Sequence, residues 1–171
     1  RSGLMRLRHI RPDDFAAEKR LLGRLSEKSA RMRFHKGAKE VTDEEIIDFT
    51  QIDQDRESAR VIVDNSRVGP EMHGVGRIFV TPDAGAEKTA EFGILIEDAY
   101  QRAGLGSVLM QALEDEARVR GCTRIRGYVL KGNDAMAAFM SSRGYSASDC
   151  PQDANTLIYE LTLAPERKER R

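Results

Sequence analysis

Residues 89–120 constrain the fold more than any other stretch, because they read as a strand, a glycine-containing loop and a helix in succession. Residues 90–96 are apolar and partly β-branched, which predicts a buried strand. Apolar side chains then recur at helical spacing over residues 105–117, and Gly121 is placed to end that helix. The stretch therefore predicts a domain in which a short loop joins a sheet to a helix.

The loop between this strand and this helix is suited to an anion. The first N–H groups of a helix have no partner within it, and the helix dipole favours negative charge there. Gly104 and Gly106 carry no Cβ, so a phosphate could approach the backbone closely. The glycines indicate either a cradle for a pyrophosphate or a plain tight turn, and by themselves they do not decide between the two.

Two common phosphate-binding motifs do not match this loop. The chain contains no G-x-x-x-x-G-K-[ST] run, so a P-loop is excluded. In the dinucleotide fingerprint G-x-G-x-x-G, the third glycine would fall at Leu109. About 20 residues further on, the chain carries Arg126 where that fingerprint needs an acidic residue to bind a ribose.

Residues 101–106 (QRAGLG) instead resemble the Q/R-x-x-G-x-G/A signature of the GNAT N-acetyltransferases. In that family the backbone amides of the loop hold the pyrophosphate of acetyl-CoA, which is the cosubstrate implied here. The strand would bond the pantetheine arm through its main chain, and Gly93 would mark a bulge that splays two strands. The resemblance implies these cofactor-binding residues: Leu95, Ile96, Gln101, Arg102, Ala103, Gly104, Leu105, Gly106, Ser107, Asn133 and Met136.

The remaining elements follow the order of that family over nearly the whole chain. Periodicity and caps predict strands at 5–11, 58–64, 75–81, 90–96, 124–130, 147–150 and 156–163, and helices ending near 25 and at 27–34, 43–51, 105–120 and 134–143. The expected fold is α/β (α+β) of the GNAT type, with a mixed, mostly antiparallel sheet of six to seven strands flanked by helices. One domain is expected over residues 5–163, with residues 1–4 and 164–171 as flexible ends or cloning remnants.

Two further resemblances refine the expectation. Residues 133–145 (NDAMAAFMSSRGY) resemble the family helix that lines the thiol end of CoA, but Met140 stands where many members carry a Tyr often assigned as the acid for the departing thiolate. The segments LRHIRPDD, SEKSARMRFH, TDEEIIDFTQIDQDR and AEF resemble bacterial Pat-type protein lysine acetyltransferases, and the third, residues 42–56, is the most distinctive. Such proteins often carry a regulatory domain, and none fits within these 171 residues.

Amine acetylation also requires a proton acceptor. A free lysine amine has a pKa near ~10.4, so neutralising it at pH 7 costs about 4–5 kcal/mol, and a positioned carboxylate can take the proton. Glu91 is the candidate base, because it holds the position of the family glutamate in AEF. We expect it to be buried in its apolar run, which would make it a better proton acceptor. The alternative is a glutamate in solvent at a strand end.

Composition argues against several other functions. The chain has 28 basic residues (Lys and Arg) and 28 acidic residues (Asp and Glu), and only 6% of its residues are aromatic. This composition disfavours a nucleic-acid binder. No apolar run is long enough for a membrane span or signal peptide, and two cysteines without metal or disulfide spacing suit a cytoplasmic protein. The three histidines lack ligand spacing, so no metal site is expected, although His73 could line a pocket.

The acceptor is the least determined part of the expectation. The early helices carry six basic residues that indicate either a solvated face or contact with an acidic partner or the CoA phosphates: Arg20, Arg24, Arg31, Arg33, Lys36 and Lys39. The Pat resemblance implies acetylation of an exposed protein lysine, with an acyl-CoA synthetase as the suggested partner. The alternatives are acetylation of a small amine and a CoA-binding regulatory module without turnover.

Overall fold

The computed structural model describes residues 4–66, 69–82 and 87–164, so the ends and parts of two predicted turns lie outside the described residues. The strands are β1 (Arg6–His9), β2 (Glu57–Ser66), β3 (Gly69–Pro82), β4 (Lys88–Ile96), β5 (Arg124–Leu130), β6 (Ser146–Cys150) and β7 (Asp153–Thr162). The helices are α1 (Phe15–Arg24), α2 (Glu27–Phe34), α3 (Asp43–Thr50), α4 (Leu105–Val119) and α5 (Asp134–Ser142). Short 3-10 turns lie at Pro12–Asp14, Ala38–Glu40 and Asp98–Tyr100.

The strands form one mixed sheet in the order β1-β2-β3-β4-β5-β7-β6. β1 pairs antiparallel with β2, and β5 and β6 each pair antiparallel with β7. β4 and β5 run parallel, which a crossover through α4 allows. The architecture confirms the predicted α/β class and its mostly antiparallel sheet; β3 and β7 are longer than the pattern predicted.

The chain divides into two compact units, each with its own core. The first comprises residues 1–77 and 94–113, and the second comprises residues 78–93 and 114–171. The core of the first unit contains these buried residues: Ile10, Ala17, Leu21, Leu22, Ile46, Ala59, Val61, Val63, Met72, Val75 and Leu95. In the second unit the buried apolar residues include Ile78, Ala90, Phe92, Ala117, Ile125, Val129, Met140, Tyr145 and Tyr159.

Local caps set the beginnings of three helices as predicted. The hydroxyl of Ser26 accepts from the N–H of Ser29 at 3.0 Å at the start of α2. Thr42 and Glu45 form a reciprocal capping box before α3, with distances of 3.2 and 2.8 Å. At the start of α5, the side-chain oxygen of Asn133 accepts from the backbone N–H of Met136 at 3.3 Å. Each of these bonds joins residues three apart, which is why the sequence pattern was sufficient to predict them.

Asp14 immediately precedes α1, but its side chain makes no capping hydrogen bond to that helix. Its buried carboxylate accepts two hydrogen bonds of 2.8 Å from Arg8 and one of 2.7 Å from the backbone N–H of Arg11. Burial by itself would raise the pKa of Asp14, but these bonds outweigh it and the net shift is downward. Asp14 therefore ties β1 to the segment that precedes α1.

Candidate active site

The glycine loop lies in the first unit, and its backbone is open at Gly104. Gly104 has a φ of +82°, and a Cβ placed on it would meet no atom within 4 Å. The first turn of α4 carries no acidic residue. Gln101, Arg102, Ala103, Gly104 and Ser107 are exposed, and Leu105 and Gly106 are half-buried. The open backbone and the following helix start thus fit a pyrophosphate.

Gln101 supports this loop from within. Its side-chain amide donates to the carbonyl of Ile96 at 3.1 Å and more weakly to the hydroxyl of Ser29 at 3.5 Å. Leu95 packs in the core of the first unit, and Ile96 is half-buried. The side chains of Leu95 and Ile96 are engaged in packing. The contacts with the cofactor that were predicted for these two residues are therefore available only to their main-chain groups.

In the second unit, β4 and β5 separate after a short paired stretch. Their register covers only Thr89–Glu91 of β4, whereas β5 remains paired with β7 as far as Leu130. Phe92 lies where the two strands part, and a Cβ built on Gly127 would clash with its ring. The predicted separation of strands is present here, at the point where the ring of Phe92 packs on Gly127. A bulge at Gly93 stays a prediction.

Glu91 lies at the last paired position of β4 with β5, opposite Arg126. Its side chain is exposed, so the prediction that it is buried is wrong. The physical reason is the pleat of the strand: its neighbours Ala90 and Phe92 are buried, while Glu91 faces solvent. A carboxylate next to the point where two strands part remains accessible to an amine or a bridging water.

The helix that follows β5 holds the last two predicted cofactor residues. Asn133 accepts the backbone N–H of Met136 at 3.3 Å through its side-chain oxygen, so that oxygen is engaged in the cap. Met136 is half-buried. Asn133, Met136 and Glu91 belong to the second unit, and the other predicted site residues belong to the first.

A buried polar cluster beside α5 was not predicted from the sequence. Glu114 on α4 accepts the hydroxyl of Tyr145 at 2.8 Å and the guanidinium of Arg143 at 2.8 Å. Burial raises the pKa of Tyr145, and the Glu114 carboxylate raises it further. The hydroxyl is thus held protonated, which supports the interpretation of Tyr145 as a core residue rather than an acid catalyst. The sequence did carry one indication of this cluster, because Glu114 falls on the same helix face as the apolar residues Met110 and Ala117.

A second unpredicted cluster surrounds His73 in the first unit, where the sequence indicated only a pocket-lining role. Its Nδ1 lies 2.6 Å from Oε2 of Glu97, and its Nε2 lies 2.7 Å from Oδ2 of Asp64. Burial lowers the pKa of His73, but the bonds to the two carboxylates outweigh it and the net shift is upward. Each ring nitrogen of His73 thus faces a carboxyl oxygen, a geometry that favours the protonated ring because only the imidazolium has two N–H donors.

The early helices are less positive than the sequence indicated. Arg20 and Arg24 contact Glu71 at 3.2 and 3.0 Å, and Lys36 contacts Glu45 at 2.7 Å. These pairs neutralise half of the six predicted cations. In contrast, α3 and the loop that follows it present several exposed carboxylates, among them Asp48, Asp53 and Asp55.

Two other features bear on the class of site. Among residues 4–66, 69–82 and 87–164, no group of His, Cys, Asp and Glu side chains is arranged to hold a metal ion. None of the helices in the described part of the chain has the length and apolar character needed to cross a bilayer.

Comparison with known proteins places this geometry in context. The profile of the Acetyltransferase (GNAT) family matches residues 25–145. Acetyltransferase PA5475 of Pseudomonas aeruginosa is 27% identical over 157 residues, which is 92% of this chain and 83% of that protein. The GNAT domain of S. lividans PAT superposes with a TM-score of 0.81 at 24% identity, covering 94% of this chain and 92% of that one.

A second solved structure carries a ligand. YncA, a putative acetyltransferase of Salmonella typhimurium solved with its cofactor acetyl-CoA, superposes with a TM-score of 0.71 at 18% identity, covering 97% of this chain and 98% of that one. Both structural similarities concern the fold.

Proposed function

The chain belongs to the Acetyltransferase (GNAT) family, and from that premise we propose that it acetylates the side-chain amine of a lysine in a protein. Family membership makes it an acetyl-CoA-dependent N-acetyltransferase rather than a module without turnover, with acetyl-CoA as its cosubstrate. The identity of the acceptor, the catalytic base and the cofactor-binding residues are what we propose.

We assign the pyrophosphate to the glycine loop, residues 101–107. Gly104 carries this assignment, since its positive φ and the empty space at its Cβ position expose the backbone beside the start of α4. The family resemblance assigns the pantetheine arm to main-chain groups of Leu95 and Ile96, and it assigns the thiol end to Asn133 and Met136. Acetyl-CoA supplies the thioester carbonyl that the acceptor amine attacks.

Glu91 would take the proton from the acceptor ammonium, directly or through a water molecule, and so free the lone pair of the amine. Its exposure suits an acceptor that comes from solvent. No side chain is assigned as the acid for the leaving thiolate. Met140, at the position of the usual Tyr, is apolar and fully buried, and Tyr145 donates its hydroxyl proton to Glu114. The proton for the thiolate then comes from water.

The acceptor assignment is carried by the exposed carboxylates Asp48, Asp53 and Asp55 in the Pat-like segment. Their negative charge would attract a lysine and the positive surface around it, while ion pairing neutralises Arg20, Arg24 and Lys36. The structural similarity to the GNAT domain of S. lividans PAT supports the same choice, and an acyl-CoA synthetase is the partner that the Pat resemblance suggests. The same carboxylates would also attract a free polyamine, so a small amine is the second candidate.

The test compares the two acceptor classes directly. The purified chain is incubated with acetyl-CoA and either folded proteins, including an acyl-CoA synthetase, or a panel of small amines. Released thiol gives the rate, and mass spectrometry locates acetyl-lysine. We expect turnover on protein that weakens as salt rises, because exposed charges are screened beyond about 8–10 Å. Efficient acetylation of spermidine or an aminoglycoside without protein acetylation would instead establish the second candidate.

A matched pair of variants tests the role of the exposed carboxylates. Asp48→Asn and Asp55→Asn remove negative charge while keeping the size of the side chain. They should raise the KM for the protein acceptor and leave the affinity for acetyl-CoA unchanged. Asp149→Asn makes the same change at an exposed residue of β6 and serves as the control. Equal KM values for all three variants would contradict the assignment.

A further inference from the structure

Four ionisable residues of the first unit form a continuous chain of contacts around His73. Arg24 donates to Glu97 at 2.8 Å, Glu97 contacts His73 at 2.6 Å, and His73 contacts Asp64 at 2.7 Å. These residues come from α1, the end of β4, β3 and β2. His73 has only 6% of its surface exposed, which excludes direct contact with a large substrate.

Glu97, an inner member of this chain of contacts, begins the segment that leads into the glycine loop. The backbone N–H of Glu97 donates to the carbonyl of His73 at 2.8 Å, so Glu97 is held by both main chain and side chain. The next residue, Asp98, accepts hydrogen bonds from the hydroxyls of Ser26 and Ser29 at 2.8 and 2.9 Å. Gln101 then closes the segment on the carbonyl of Ile96. Glu97 is thus one of three residues, with Asp98 and Gln101, whose contacts hold residues 97–101 in place.

We propose that His73 is a positioning residue for acetyl-CoA: as an imidazolium it fixes Glu97 and hence the start of the glycine loop, and it loosens that loop when it loses its proton. The inference rests on the proposed assignment of residues 101–107 to acetyl-CoA. It adds a pH-dependent control of cosubstrate affinity by a group that does not touch the cosubstrate.

The physical reason lies in the number of donors. An imidazolium has two N–H groups and serves Asp64 and Glu97 together, whereas neutral imidazole has one. After deprotonation, one carboxylate faces a ring nitrogen lone pair at hydrogen-bond distance, and the two repel. That contact must lengthen, and if it is the contact to Glu97, the segment leading into the loop moves with it.

The surrounding groups favour the protonated state of His73. Asp64 and Glu97 are the two anions in contact with the ring, and Tyr100 stacks on it with its centroid 4.1 Å away. The positive charge of Arg24 disfavours protonation of His73, because Arg24 pairs with the Glu97 carboxylate. Arg24 also contacts Glu71 at 3.0 Å and the carbonyl of Met72 at 2.7 Å. Its charge is therefore shared among several acceptors.

The experiment measures the Kd of acetyl-CoA by calorimetry between pH 6 and 9, for the wild-type chain, His73→Gln and Asp64→Asn. Acetyl-CoA is used because its sulfur is acylated and does not titrate, and its phosphates affect all variants equally. An NMR titration of the three imidazole rings gives the pKa of His73 in the wild-type chain and in Asp64→Asn, and the signal missing from His73→Gln identifies that ring. His35→Asn is the control: this exposed histidine has a φ of 59°, a conformation that Asn tolerates.

We expect the wild-type Kd to rise about 5-fold or more as His73 deprotonates, a typical size for coupled sites. His73→Gln should bind weakly at every pH, and Asp64→Asn should move the midpoint to lower pH because it removes one anion from the ring. By linkage, saturating acetyl-CoA must raise the pKa of His73. His35→Asn should behave as wild type.

Two outcomes would overturn the inference and are distinguishable. A constant ratio of Kd values between wild type and His73→Gln across the pH range, or an unmoved midpoint in Asp64→Asn, overturns the role of His73 alone. The Asp64→Asn comparison remains decisive if His73→Gln does not fold. No binding of acetyl-CoA by the wild-type chain at any pH would overturn the proposed cofactor site together with this inference.

Discussion

Single glutamates of this chain have different roles because their surroundings differ. Glu91 is exposed and available to a substrate. Glu114 is buried and fully engaged by Arg143 and Tyr145. Glu18 is also buried, and burial raises its pKa although Arg77 donates to it at 3.0 Å. Residue type alone therefore does not indicate which glutamate could accept a proton from an amine.

The proposed base gives a direct prediction. Glu91→Gln keeps the shape of the side chain but removes the proton acceptor, so kcat should fall by roughly 10²–10⁴-fold at pH 7. The affinity for acetyl-CoA should not change, because Glu91 is not assigned to the cofactor. Part of the lost activity should return at high pH, where the acceptor amine is neutral without help.

Glu87→Gln is the matched control for this variant, since it makes the same change at an exposed residue just before β4. Steady-state thiol release over pH 6–10 compares the two proteins. If both variants retain wild-type kcat at pH 7, Glu91 is a solvated strand residue and not the base.

At the scale of elements, the strand-loop-helix unit carries the cofactor prediction. Gly104 and Gly121 lie at opposite ends of α4, with φ of +82° and +80°, and a Cβ on either would meet no atom within 4 Å. An aspartate at either position should cost similar backbone strain, about 1–2 kcal/mol. Only Gly104→Asp should also abolish the thermal stabilisation by acetyl-CoA, because its side chain would fill the cradle and repel phosphate.

The comparison uses thermal unfolding with and without saturating acetyl-CoA. Ligand at 100 times its Kd should stabilise the wild type and Gly121→Asp by about 2.7 kcal/mol. A ligand-induced rise in Tm that survives in Gly104→Asp would remove the loop from the proposed site.

The parting of β4 and β5 gives a second prediction at this scale. Gly127→Ala should destabilise the chain by about 1–3 kcal/mol, because the new Cβ would collide with the ring of Phe92. Phe92→Leu should relieve the collision, so the double variant should be more stable than the sum of the two single changes predicts. Urea unfolding measures all four proteins, and strict additivity would contradict the contact.

At the scale of the whole molecule, positive and negative charges are equal in number, so the pH dependence of stability depends on individual contacts rather than on net charge. Burial opposes the downward pKa shifts of Asp14 and Glu97, but the bonds from Arg8 and Arg24 outweigh it. His73 shifts the other way, with a raised pKa. These directions determine where stability is lost.

The lowered pKa values of the carboxyls and the raised pKa of His73 set the lower and upper ends of the pH range in which the fold is most stable. A carboxyl with a lowered pKa stabilises the fold above its ordinary value near ~4, and this contribution is lost as the pH falls through the folded value. The contribution of His73 is full below its ordinary pKa of ~6.5 and is lost as the pH rises through the raised value. We expect the free energy of unfolding, measured in urea, to fall on both sides of this pH range. Asp14→Asn should lower the free energy of unfolding above about pH 4 and make its fall on the acid side shallower, without changing the fall on the alkaline side. An acid side as steep as in the wild type would contradict this account.

The sequence by itself determined the element order, the helix caps at Ser26, Thr42 and Asn133, and the glycine loop. These features depend on interactions between residues three or four positions apart, or on the alternation of apolar side chains along a strand. Such spacings are read directly from the chain. The family resemblance drew on the same local segments, which is why it led to the correct fold and cosubstrate.

Only the tertiary structure decided the surroundings of the ionisable residues. The exposure of Glu91, the pairing of Tyr145 with Glu114 and the contact of His73 with Glu97 could not be read from spacing. Glu114 and Tyr145 are 31 positions apart, and His73 and Glu97 are 24 apart. The contacts that join such residues are set by how strands and helices pack, and packing depends on the whole buried core rather than on any local pattern.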